Sequence, residues 1–175
     1  MLSGQMMYVL GAFALLSLLV LSVNRIIVEN TTVMLENEAS ISAISLAQAM
    51  VDEIQTKEFD ENTIAARVYN VSGLTSVAAL GRDAGESVPT TDVYPYLSVS
   101  AFDDVDDYNG YKRKVTSPRL GDFTISDSVY YLVASNLNLK SSTQTFYKKI
   151  VVTVTHPNMK RPIVLNDVAV YRRYI

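Results

Sequence analysis

The pattern of apolar and polar positions changes twice along the chain. Met6 to Val23 reads MMYVLGAFALLSLLVLSV, 18 residues in which only Gly11, Ser17 and Ser22 depart from large or small apolar side chains. Extending the run to Val28 takes in Asn24 and Arg25, the latter long enough to snorkel towards water. A stretch of about 20 apolar residues matches the hydrocarbon thickness of a bilayer. From Arg25 to Lys57 there is neither Pro nor Gly. Ile27, Met34, Ile41, Ile44, Ala47, Met50, Val51 and Ile54 recur mostly at three, four and seven, with Glu29, Glu36, Glu38, Gln48, Asp52 and Glu53 between them. That is the period of an amphipathic helix. The pattern predicts one helix from about Gln5 to Lys57, roughly 80 Å long at ~1.5 Å per residue. Its apolar half occupies 1–28 and its amphipathic half 29–57, with small residues between Ala39 and Ala49 allowing close approach to a neighbour.

Glu58 to about Asp92 carries apolar patches punctuated by Gly73, Gly81 and Gly85. It reads as a long connection with one short strand or helical turn. From Tyr94 the period becomes two: Tyr96, Ser98 and Ser100 alternate with Leu97, Val99 and Ala101. Val129–Val133, Phe146–Thr155 and Val164–Tyr171 are rich in β-branched and aromatic residues and read as strands. Asn136–Thr143 and the segment from His156 to Pro162 read as the connections between them. Short connections between successive strands favour an antiparallel sheet. The expected fold is therefore α+β, with a long N-terminal helix packed on a small antiparallel sheet that occupies 58–175.

Composition narrows the function classes. Across 175 residues the net charge is −3 and the pI about 5.1, unlike a nucleic-acid binder. Cys is absent, which removes disulfides, thiol nucleophiles and thiolate-bound zinc. His156 is the one histidine, too little for a His-based triad or metal centre. No charge precedes Arg25. A cleaved secretory signal would want a basic start, a shorter apolar run and small residues at a cleavage site, and LSVNR supplies none of them. A membrane anchor and a helix destined for the core of a polymer both remain open.

The order of apolar helix, amphipathic continuation, variable connection and antiparallel sheet resembles type IV pilins and pseudopilins. Locally, Phe102-Asp103-Asp104-Val105-Asp106-Asp107-Tyr108-Asn109-Gly110-Tyr111 is similar to a stretch in minor pilins of the mannose-sensitive haemagglutinin type, and Thr145–Val154 is similar to a late strand of pilin-like proteins. The resemblance implies a structural subunit of an extracellular helical filament, inserted in the inner membrane before assembly and handled by a pilus assembly machinery. Met6, Met7, Val9, Leu10, Phe13, Leu15, Leu16, Leu18, Leu19, Val20, Leu21, Val23, Ile26 and Ile27 would form the filament core. Gly4 and Gln5 would mark processing or an N-terminal contact, the mature chain starting at Met1 or Gln5. The resemblance also admits a minor pilin or pseudopilin that primes a pilus or a secretion filament. A reading of another class is a monomeric membrane-anchored binding domain outside the cytoplasm.

Charge suggests a register for such a polymer. Glu29–Asp60 carries a net −6 and Asn138–Ile175 a net +6, so a basic sheet would meet an acidic stem within one chain or between neighbours.

Asp103, Asp104, Asp106, Asp107 and Asn109 form an oxygen-rich cluster beside the turn dipeptide Asn109-Gly110, a composition that suits calcium. The calcium-loop spacing D-x-[DN]-x-[DN]-G fails, because Val105 stands where its first Asp belongs, and a solvated acidic turn is the simpler expectation. Asn70-Val71-Ser72 and Asn30-Thr31-Thr32 fit the glycosylation sequon, with Asn70 the better placed because Asn30 lies in the predicted helix. Tyr130, Tyr131 and Tyr147 read as core or cross-strand residues, and His156 as an exposed turn residue. Paired aspartates could serve glycoside hydrolysis, but no substrate cleft is recognisable and no enzymatic role is expected.

Overall fold

The computed structural model describes residues 2–171, which divide into two compact units, the first ending at Glu38 and the second beginning at Ala39. Helix α1 runs over Leu2–Gln55. In the first unit it is the whole structure. Every side chain from Gly4 to Met34 is exposed within the chain, among them Leu16, Leu19 and Phe13. Its internal contacts are local. Ser17, Ser22, Thr31 and Thr32 donate to carbonyls one turn back, and Arg25 meets Glu29 at 2.8 Å. These bonds satisfy hydroxyls without help from water, which suits an apolar surrounding.

The second unit is the α+β body that the sequence predicts. Strands β1 (Asp92–Val93), β2 (Lys112–Ser117), β3 (Gly121–Val133), β5 (Tyr147–Thr155) and β6 (Ile163–Val170) lie side by side in the order β1-β2-β3-β5-β6, and β4 (Asn136–Lys140) pairs with the end of β3. All pairings are antiparallel except the two-residue contact of β1 with β2. β6 is an outer strand, paired with β5 alone. Gly121 turns β2 into β3 at φ +90°, a conformation that side chains disfavour.

The core forms where the last turns of α1 meet one face of this sheet. Ala39, Ala43 and Ala47 recur every fourth residue and are fully buried, followed by Met50, Val51 and Ile54. Three alanines on one stripe let the backbone approach the sheet closely, and the larger residues fill the wider end. Facing them are Phe123, Ile125 and Val129 of β3 and Ile150, Val152 and Val154 of β5, alternate positions pointing to one face. Phe102, Tyr108 and Tyr111 add three edge-to-face ring pairs with centroids 5.0–5.6 Å apart.

Several local expectations change. Tyr94–Ala101 is not a strand: β1 ends at Val93 and Ser98–Ala101 is α3, one helical turn. The Asp92 carboxylate accepts from the Leu97 and Ser98 N–H groups, at 3.2 and 3.0 Å, and this bends the segment where alternation alone predicts extension. Asn136–Lys140 is a strand rather than part of a connection, although every residue in it is exposed. The long connection holds α2 (Glu61–Ile64) and a 3-10 turn at Val71–Gly73. His156 is buried, stacked on Phe123 at 4.3 Å, with Nε2 against the Leu120 carbonyl at 3.0 Å. Tyr131 is fully buried as expected, while Tyr130 and Tyr147 are half-buried.

Candidate functional site

Two features stand apart from ordinary packing. The first is the apolar half of α1. Its best 18-residue window has a mean hydropathy of 2.3, and none of that window is buried within the chain. Met6, Met7, Val9, Leu10, Phe13, Leu15, Leu16, Leu18, Leu19, Val20, Leu21, Val23, Ile26 and Ile27 are all exposed on it. Gly4 and Gln5 also lie in this helix, whereas Met1 falls outside the described residues. Asn70, the glycosylation candidate, is exposed and begins the Val71–Gly73 turn; Asn30 is mid-helix.

The second feature is the acidic segment, and here the solvated reading is overturned. Asp104, Asp106 and Asp107 are each at most 1% exposed. The segment is drawn inward by a short ladder with the chain just beyond α1: Glu58 N–H donates to the Asp103 carbonyl at 3.0 Å and Val105 N–H to the Glu58 carbonyl at 2.9 Å. Two aspartates then cap each other's backbone. Asp104 Oδ1 accepts from the N–H groups of Asp106 and Asp107, and Asp107 Oδ2 from those of Asp103 and Asp104. Asn109 leaves the cluster altogether. Its amide donates to the Leu80 carbonyl at 3.1 Å and its oxygen accepts from Val129 N–H, tying the 80s loop to β3. Gly110, at φ +80°, makes the turn that follows.

At the centre lies Lys148, fully buried on β5. Its ammonium donates to the Phe59 carbonyl at 2.6 Å, to Asp60 Oδ2 at 2.8 Å and to Asp106 Oδ1, and it sits 4.6 Å from the Phe59 ring centre. Asp60 also accepts from Asn62 N–H, both Thr75 donors and the Tyr131 hydroxyl. Burial would raise the Asp60 pKa, but Lys148 and the Thr75 donors outweigh it and hold the carboxyl below its ordinary value. Asp104, Asp106 and Asp107 shift the other way. Burial is the main cause for all three, reinforced by Asp106 at Asp104, by Asp60 at Asp106 and by Glu86 at Asp107.

Structure adds three residues that sequence spacing did not reveal. Glu61 on α2 and Asp83 in the 80s loop converge with Asp104, and Glu86 converges with Asp103 and Asp107. In each triad the carboxylate oxygens lie within 4.8 Å of one another. The sequence signal was only a local excess of acids in three segments separated by 17 to 43 residues, which spacing rules cannot join.

A further network pins α1 to the sheet. Arg113 on β2 grips Glu53 through two bonds of 2.8 and 2.6 Å, and Tyr108 OH donates to the same carboxylate at 2.9 Å. Arg113 also donates to Tyr111 OH and Ser98 Oγ, and Tyr111 OH donates to Asp92 at 2.9 Å. Of the charge register expected between stem and C-terminal segment, Lys148 with Asp60 is one pair that forms within the chain, whereas the cation that meets Glu53 comes from β2. Arg172 and Arg173 lie outside the described residues.

No protein-family model matches the chain, and neither the curated proteins nor the solved structures contain a match to it. What stands is the fold class, a long N-terminal helix with an apolar membrane-span-like half and an α+β body whose sheet is mostly antiparallel. This architecture is compatible with a pilin-like fold.

Proposed function

We propose that the chain is a structural subunit of an extracellular, pilus-like helical filament, held together by bundled N-terminal helices and inserted in a membrane before assembly. The observation that carries this reading is the apolar half of α1, exposed all round within its own chain. Fully burying one large aliphatic side chain is worth about 1.5–3 kcal/mol, so such a surface requires lipid or other helices around it. Lipid meets that requirement before assembly and copies of the same helix meet it afterwards. A head-to-tail contact that does not close propagates as a helical polymer. The resemblance in Phe102–Tyr111 and Thr145–Val154 supports the pilin type.

The test is electron microscopy and peptide mass spectrometry of the fraction sheared from producing cells, for the parent chain and for Leu16→Asp. Uniform filaments made mainly of this chain, abolished by Leu16→Asp, are the expected result. A trace of the chain within filaments of another protein would make it a minor subunit. Its presence in membranes with no filament would leave a membrane-anchored binding domain. Filaments of normal yield from Leu16→Asp would overturn the helix-core reading.

A further inference from the structure

The acidic cluster below α1 gathers more carboxylates than the one buried ammonium at its centre, Lys148, can reach. An ammonium has three protons to give. Those of Lys148 go to the Phe59 carbonyl, Asp60 and Asp106. None is left for the triads Glu61–Asp83–Asp104 and Glu86–Asp103–Asp107. Asp104 and Asp107 each commit one oxygen to two backbone N–H groups, which fixes the carboxylate plane. The second oxygen of each, Asp104 Oδ2 and Asp107 Oδ1, is buried and has no hydrogen-bond partner. Leaving a charged oxygen dry and unpaired is among the costliest arrangements in a protein interior.

A proton or a cation can relieve that cost, and the geometry separates them. A proton bridges two oxygens, whereas here three carboxylates converge twice, drawn from three segments in the first triad and from two in the second. We propose that this cluster binds calcium, with the two triads as the places where the ion is held. The donors are carboxylate oxygens with no nitrogen or sulfur among them, which favours a hard cation. They come from loops and one-turn helices, whose spacing adapts to the long and variable bonds of calcium more readily than to the strict octahedron of magnesium. Asp106 stays with Lys148, and Asn109 serves the fold through Leu80 and Val129. The bound ion joins the segment after α1, the 80s loop and the 103–107 turn into one unit, so the end of the stem is clamped by metal as well as by the Glu58 ladder.

The proposal is independent of filament formation and is tested on the full chain in detergent micelles. After treatment with EDTA and its removal, calcium chloride is titrated in by calorimetry and thermal unfolding is followed by the near-ultraviolet dichroism of the tyrosines. Saturating calcium, at 100 times its dissociation constant, should raise the unfolding midpoint by about 5–10 °C. The double variant Asp83→Asn/Glu86→Gln removes one carboxylate from each triad while keeping all buried groups. It should melt in EDTA within a few degrees of the parent and lose the calcium response. Three results would overturn the proposal: no binding heat and no shift up to about 5 mM calcium, the range of weak extracellular sites; an undiminished response in the double variant; or an equal shift from magnesium.

Discussion

The two halves of α1 solve opposite problems with one backbone. Residues 4–34 are mostly apolar and exposed, and their hydroxyls and the Arg25–Glu29 pair bond within their own helix. Residues 39–54 are built on small side chains and are fixed from outside by the sheet face and Arg113. Hydrophobicity alone would assign burial to the wrong half. The more apolar segment is the one its own chain leaves uncovered, while three alanines lie at the bottom of the core. The first half is therefore left uncovered by its own chain, and the second is covered by the sheet.

Charge placed at equivalent depth in the two halves should separate them most sharply. Ala47→Glu forces an unpaired carboxylate into a fully buried position, with a cost on the order of 3–5 kcal/mol, and should prevent the second unit from folding as judged by loss of near-ultraviolet dichroism. Leu18→Glu, in the exposed half, should leave that signal and its melting curve unchanged. If the two variants melted alike, the division of labour along α1 would be wrong. Next in size, Glu53→Ala strands the Arg113 guanidinium and should cost about 3–5 kcal/mol in denaturant unfolding. Replacing both partners, Glu53→Leu with Arg113→Leu, should cost clearly less, because no charge is then left alone. Ile54→Ala opens a cavity at the base of the stem, for about 2–5 kcal/mol by the same measurement.

The smallest effect concerns pH. Asp127 on β3 is buried with both carboxylate oxygens unpartnered, and burial pushes its pKa up to about 8 despite the nearby Arg113, with Glu53 adding slightly. A carboxyl whose folded pKa lies above its unfolded value near 3.9 binds its proton more tightly when folded. Its contribution to stability is thus intact below about pH 4 and is lost as pH rises towards about 8. Asp127→Asn should consequently stabilise the body at pH 8 by about 1–3 kcal/mol and change little at pH 4. Thermal unfolding at the two pH values gives the difference, and an equal effect at both would remove the titration of Asp127 as its cause.

Much of the architecture was legible because it rests on composition over long windows. A run without charge, then 33 residues without Pro or Gly, marked α1. Dense β-branched residues marked β5, and β6 was found almost to its ends. What failed depended on single polar residues acting at a distance. β2 and the start of β3 were hidden because Arg113 and Asp127 occupy inward positions where a strand pattern leads one to expect aliphatics. The bend at α3 depends on Asp92 capping Leu97 and Ser98, and the acidic turn is buried because Lys148, more than 40 residues later, enters beneath it. The cluster's first four aspartates were visible as a string, but its other members arrive from α2 and the 80s loop by tertiary folding alone.

The borders of the sheet carry a last consequence. One side closes with β1, two residues long, and the other with β6, which follows Pro162 and carries Asn166 and Asp167 at its middle, the latter taken by the Gln55 amide. Unpaired strand borders invite a second chain to continue the ladder, and shortness or an inserted charge discourages that. A protein with a greasy helix of its own, crowded at high local concentration, risks gelling through any sticky margin it offers. Here the margins are blunted, so crowding of the bodies need not turn into cross-β growth.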